Sequence, residues 1–179
     1  AAQLDDPHCL REFGTWLGFW EQRADQLAQS PDWDLATLGQ HEARLARERV
    51  TDFVQNWQAG GSAVLRPLVD SGAVELLSGP AAHPFQPLLD DATARFSLTV
   101  GRDDTLLRIG TKPGGIWAPE CGYRPGLEDL YQSEGVTHFM VDGPTLLHVD
   151  RSTADAWQVH ASDVVAFGRD LRVSYRVWS

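Results

Sequence analysis

The chain has 179 residues, 42% of them hydrophobic and 22% charged, with 15 basic against 25 acidic groups and a formal charge of −10. The basic residues are scattered singly among acids, so the positive footprint that binds phosphate backbones is missing and nucleic acid is not an expected partner. No run of about 18 apolar residues exists to cross a bilayer, and no charged-then-apolar leader precedes a small-residue cleavage site, so no membrane partner is expected and a cytoplasmic enzyme or binding domain is.

The first elements in chain order are helical. Asp6 followed by Pro7 is a cap with proline at the first helical position, and Leu10, Phe13, Leu17, Trp20, Ala24 and Leu27 repeat at spacings of 3 and 4, predicting an amphipathic helix over 7–29. Ser30-Pro31-Asp32 breaks it. Asp34 is the expected second cap, and Ala46, Val50, Phe53 and Trp57 carry the spacing to Gly60-Gly61. Arg44, Arg47, Glu48 and Arg49 fall on the wet face and read as solvation. Residues 1–62 are thus expected to form a helical hairpin.

From residue 63 short apolar runs alternate with helical stretches, and 63–179 reads as one β/α section. A helix is predicted over 63–70, a strand over 73–77, helix over 87–109, a strand over 115–118, a helix over 126–133, and strands over 137–141 and 163–167, with further apolar alternation over 171–177. Phe96 to Val100 could pass for a strand on β-branched content, but the helical spacing is preferred. Strands alternating with helices predict an α/β fold of parallel strands with right-handed crossovers.

Two residue types narrow the chemistry. Only Cys9 and Cys121 are present and lie far apart, neither a disulfide framework nor a zinc pattern, which fits a reducing compartment. Seven tryptophans are many for this length, and each serves either as core filling or as a flat platform for sugars and bases. In α/β folds functional side chains collect where strands end. Three predicted strand ends carry candidates: the first runs on to His83, the second ends in Trp117-Ala118-Pro119-Glu120, and the third in Asp142-Gly143-Pro144. Pro119 fixes the backbone before Glu120 and ends the ladder there. A rigid carboxylate beside tryptophan suits glycoside chemistry, in which one carboxylate attacks the anomeric carbon and a second acts as acid and base. Read alone, the same glutamate could simply face solvent or a salt-bridge partner.

The longer string from Gly115 to Gly126, GIWAPECGYRPG, resembles the nucleophile motif of glycoside hydrolase family 57 as found in its 1,4-α-glucan branching enzymes, GIWLPECAYRPG, at ten of twelve positions. Upstream, the segment from Glu75 to Leu89, with Ala82-His83-Pro84-Phe85 and Pro87-Leu88, is similar to a second motif of that family. Downstream, Arg169-Asp170, Ser174 and Val177-Trp178-Ser179 resemble its R-D-x-x-x-S-x-x-V-W-S segment. The resemblance covers about residues 63–179, with the N-terminal helices fitting a variable insertion.

This likeness implies an incomplete (β/α)7 barrel, a distorted TIM-like fold, acting on α-1,4-glucan by retaining transfer and forming α-1,6 branches. It implies no metal and no organic cofactor. Glu120 would be the nucleophile and His83 an imidazole near the sugar hydroxyls. Trp117 and Trp178 would wall the glucan cleft, Arg169 and Asp170 line it, and Glu75 orient His83 or a neighbour. Cys121 reads as a buried structural thiol, and His148 and His160 as ordinary surface histidines. Ala118, Gly122 and the 142–144 stretch depart from the family pattern. The family's His-x-His strand and its acid/base aspartate have no counterpart here, so the remainder of the barrel is an expected partner. A 4-α-glucanotransferase, an α-amylase or a noncatalytic glucan-binding module are the alternatives.

Overall fold

The computed structural model describes residues 2–178; Ser179, the last residue of the downstream motif, lies outside them. The chain divides into two compact units, 1–73 and 74–179.

The first unit is helical: α1 (Ala2–Asp5), α2 (Pro7–Leu27), α3 (Trp33–Asp52), a π-helical turn (Phe53–Trp57) and α4 (Gly61–Asp70). Asp6 caps α2 by accepting the Cys9 amide at 2.9 Å, with Pro7 in the first turn. The cap of α3 is Asp32 and not Asp34: its carboxylate accepts the Asp34 and Leu35 amides at 2.9 and 3.2 Å. The cause is geometric, since Asp32 has the extended backbone that a cap needs while Asp34 is already helical. Helices α2 and α3 pack as an antiparallel pair through Leu17, Ala24, Ala43 and Ala46. Their polar seam corrects the reading of a purely solvated face, because Arg47 pairs with Glu21 at 3.1 Å and with Asp25, while Trp20 Nε1 donates to Glu42 at 3.1 Å.

The second unit holds a five-stranded sheet: β1 (Leu77–Ser78), β2 (Gly115–Trp117), β3 (His138–Asp142), β4 (Ala156–Gln158) and β5 (Val165–Arg169). Between them run α5 (Asp91–Ile109), α6 (Leu127–Ser133) and α7 (Gly143–Leu147), and α8 (Leu171–Trp178) follows. Strand order is β1-β2-β3-β5-β4, parallel throughout except for β4, which pairs antiparallel on β5. The parallel strands thus follow chain order without the reversal of a doubly wound sheet. Ile116, Phe139, Val141 and Ala166 face Leu98, Leu127 and Tyr131 in the core, where full burial of each large side chain is worth about 1.5–3 kcal/mol.

Four expectations change here. The first strand is two residues long and starts at Leu77, because the Ala73 amide donates to Leu68 O at 3.0 Å and so closes α4 rather than joining a ladder. Residues 171–177 are helical, since Asp170 accepts the Val173 amide at 3.0 Å and its carbonyl accepts the Ser174 amide at 2.9 Å, a cap that overrides the alternation. The sheet is not wholly parallel, because β4 folds back on β5. Strand β5 starts at Val165 and not at residue 163, as the Asp163 amide is taken by Gln132 Oε1 at 2.7 Å. Residues 96–100 are helical as preferred, with Ser97 and Thr99 hydroxyls bonding back to Ala94 O and Arg95 O.

Candidate active site at the carboxyl edge of the sheet

Strand β2 ends at Trp117, and the next residues make a single 3-10 turn, Pro119–Cys121. Ala118, Pro119 and Cys121 are buried while Glu120 between them is exposed, so the turn anchors its flanks in the core and presents one carboxylate. The backbone that allows this is costly. Glu120 and Cys121 have φ of 53° and 52°, in the left-handed region that penalises residues with a Cβ by roughly 1–2 kcal/mol each. Hydrogen bonds from the Cys121 amide to Ala118 O at 2.8 Å and from the Gly122 amide to Pro119 O at 3.0 Å hold it.

The loop after β1 makes a matching turn. Ala82 and His83 also have positive φ, 62° and 52°, and His83 Nε2 lies 3.3 Å from Glu120 Oε1. Non-glycine residues in this conformation persist where the surrounding structure over-determines them, and such positions collect at functional sites. The His83–Glu120 contact joins two of them.

Gly122, smaller than the alanine of the family pattern, answers to this loop: a Cβ there would stand 2.3 Å from the Phe85 ring. The departure noted in sequence is therefore a packing requirement of the loop that carries His83.

At the neighbouring strand ends, Arg169 Nη2 donates to Asp142 Oδ1 at 2.6 Å across the β3–β5 register pair. Cys121 lies within reach of this group. Burial pushes its thiol up, an effect countered by Arg169 and reinforced by Asp142 and Glu120, in keeping with an unreactive structural cysteine. Asp142 is thus engaged by a guanidinium rather than free to act as a second catalytic carboxylate.

The other sequence candidates are placed unevenly. Trp117 ends β2 and is 40% exposed, available as a cleft wall. Asp170 follows Arg169 at the edge, but its carboxylate is committed to the α8 cap and to the Thr153 hydroxyl at 3.2 Å; the Val173 amide bond holds it below the usual carboxylate range. Trp178 lies two turns along α8 and is exposed. Glu75 is not brought to His83: it precedes β1, at the opposite ends of the strands, with its carboxylate 3.7 Å from His138 Nε2. His160 is no ordinary surface histidine, since its Nδ1 lies 2.6 Å from Oε1 of the buried Glu128. Sequence reasoning passed over Glu128, which stands two residues after Gly126 in the first turn of α6, a position that gives no signal of its burial. Among the described residues no group of three or more His, Cys, Asp or Glu is arranged to hold a metal ion.

The family model for glycosyl hydrolase family 57 matches residues 24–177. A curated relative in Mycobacterium tuberculosis, named a probable 1,4-alpha-glucan branching enzyme, is 49% identical over 192 residues, which cover 99% of this chain and 36% of the relative. Among solved structures, a GH57-type branching enzyme from Pyrococcus horikoshii superposes with a TM-score of 0.84 over 98% of this chain and 36% of that one, at 24% identity. The alpha-amylase AmyC from Thermotoga maritima gives 0.78 over 99% and 36%, at 20% identity. The chain therefore spans about a third of the length of these proteins, and the two solved structures share its fold while differing in named activity.

Proposed function

The chain belongs to glycosyl hydrolase family 57, and from that membership we propose that it carries the nucleophile region of a 1,4-α-glucan branching enzyme. The observation that carries the reading is the Glu120 carboxylate, set on a strained turn at a strand end against His83, within the residues the family model covers. The 49% identity to a relative named as a probable branching enzyme favours branching over the other activities of the family.

In this reading Glu120 attacks the anomeric carbon of an α-1,4 linkage. The bond to the leaving chain breaks, its oxygen takes a proton from a general acid, and a β-linked glucosyl ester forms on Glu120. The 6-hydroxyl of a second glucan then attacks the same carbon, gives its proton to the conjugate base, and leaves an α-1,6 branch while freeing Glu120. His83 orients the carboxylate by its contact with Oε1. Trp117 supplies a sugar-facing wall and Arg169 a polar lining.

The proton donor belongs to residues beyond 1–179 in this proposal, together with the strands that complete a (β/α)7 barrel; the order of the four parallel strands, which follows the chain without reversal, supports this. In the same proposal 1–62 is an insertion of that barrel, the location is cytoplasmic, supported by two unbridged cysteines, and no cofactor takes part.

The test is to express the product of the complete reading frame and incubate it with amylose. New isoamylase-sensitive branches are expected, and Glu120→Gln should abolish them together with all chain cleavage while glucan binding persists. Cleavage without new branches would move the assignment to a hydrolase or 4-α-glucanotransferase. Turnover by Glu120→Gln would overturn the nucleophile.

A further inference from the structure

Among the described residues Glu128 is the one buried acidic side chain. A carboxylate out of water is retained at low cost only when its oxygens are hydrogen-bonded, and here both are. Oε2 accepts the Tyr123 hydroxyl at 2.8 Å and the Gly126 amide at 2.7 Å, and Oε1 meets His160 Nδ1 at 2.6 Å.

Two of these partners lie in the five residues that return the chain from the Pro119–Cys121 turn to α6. On its upstream side the turn is fixed by the β2 ladder and by buried Ala118 and Pro119. On its downstream side, past the short bonds of the turn itself, the chain is held by Glu128, by the Leu127 amide donating to Arg124 O at 3.2 Å, and by the half-buried Arg124 guanidinium, which pairs with Asp91 at 2.6 Å and donates to Leu89 O at 3.4 Å. Glu128 also sets the Tyr123 ring, which packs against Phe139 with centroids 5.5 Å apart, and Phe139 packs on Tyr131 at 5.1 Å. The Tyr131 hydroxyl donates to Gln86 Oε1 at 2.8 Å, and Gln86 is the fully buried residue three positions after His83. The same buried cluster thus braces both loops whose strained residues meet in the His83–Glu120 contact.

From this arrangement we infer that Glu128 is a positioning residue for catalysis: by holding Tyr123 and the Gly126 amide it keeps the turn in the left-handed conformation that aims Glu120 at its target. The inference rests on the reading of Glu120 as the nucleophile. A carboxylate whose own turn relaxes by about an ångström can lose on the order of a hundredfold in rate while substrate binding, made elsewhere in the cleft, is retained.

The experiment measures kcat and KM for α-1,4-glucan transfer with the complete protein and the variants Glu128→Ala, Glu128→Gln and Tyr123→Phe. Glu128→Ala is expected to lower kcat about tenfold to a hundredfold with KM within about twofold. Glu128→Gln, whose amide can accept from Tyr123 and Gly126 and donate to a neutral His160, should recover most of that loss. Should Glu128→Ala fail to fold, Tyr123→Phe carries the test, because it keeps the ring and removes one bond; its kcat should fall several-fold at unchanged KM. Unchanged kcat in a folded Glu128→Ala, or in Tyr123→Phe, would overturn the inference, and so would a loss confined to KM. Glu120→Gln serves as the control: if it turns over, the nucleophile reading itself fails, whereas a dead control beside a fully active Glu128→Ala removes only the role of Glu128.

Discussion

The two units of the chain spend their conformational energy differently. In the helical unit, among the described residues, every residue at positive φ is a glycine, and the unit is held by side-chain caps, a close antiparallel helix pair and Arg47 bridging two acids. In the sheet unit six non-glycine residues are left-handed, and four of them, Ala82, His83, Glu120 and Cys121, meet around one hydrogen bond at the carboxyl edge. Local rules satisfied throughout leave little to explain but stability. Rules broken together at one place mark where the fold is holding side chains for another purpose.

The contrast can be broken most forcefully from below. Phe139 is fully buried under Tyr123 and Tyr131, and Phe139→Ala should cost about 3–5 kcal/mol in chemical denaturation. A loss below about 1 kcal/mol would mean that the braces described here do not support the edge. Relief of strain should have the opposite sign: Glu120→Gly removes the Cβ penalty at φ 53° and should stabilise the sheet unit by about 1 kcal/mol while ending catalysis. Destabilisation by the same substitution would contradict stored strain.

In the helical unit, Asp32→Ala should cost about 1 kcal/mol and Asp34→Ala close to nothing, as read by helix content and melting temperature. The reverse ranking would return the cap to Asp34. The smallest effect expected is a pH dependence. Burial raises the Glu128 carboxyl, but bonds from His160, Tyr123 and Gly126 outweigh it and hold the group below the usual carboxylate range. A depressed carboxyl stabilises the fold above its unfolded pKa and loses that contribution as pH falls through the folded value. Melting temperatures measured from pH 6 down to pH 3 should therefore fall less steeply in Glu128→Gln than in the parent; parallel curves would refute the linkage.

Much of this was legible in the residues. The 3 and 4 spacing of Leu10, Phe13, Leu17 and Trp20 located α2 because a long amphipathic helix repeats its signal. The GIWAPEC string located Glu120, and the segment around His83 its partner. Strand β1 was misplaced because Ala73, apolar and next to a valine, spends its amide on the end of α4. Helix α8 was hidden because Leu171, Val173, Tyr175 and Val177 alternate like a strand, and only the Asp170 cap decides otherwise. That cap also explains why Asp170 was assigned to the cleft: its position at the edge was readable, but its hydrogen bonds were not. Glu75 fell out for the same reason as β1, since a shift in the strand moved it to the far ends of the ladder. Glu128 escaped notice because a carboxylate in the first turn of a helix normally reads as a surface residue favoured by the helix dipole, and one of its partners, His160, comes from a distant loop.

Whether Glu120 is the nucleophile of a retaining glucan-active site can be read from azide rescue of Glu120→Ala in the complete protein with an α-glucosyl fluoride donor, whose leaving group needs little protonation. Azide occupying the space of the lost carboxylate should restore turnover and yield the β-configured glucosyl azide by a single inversion. Formation of the α-configured product, or full turnover by Glu120→Ala without azide, would contradict that role.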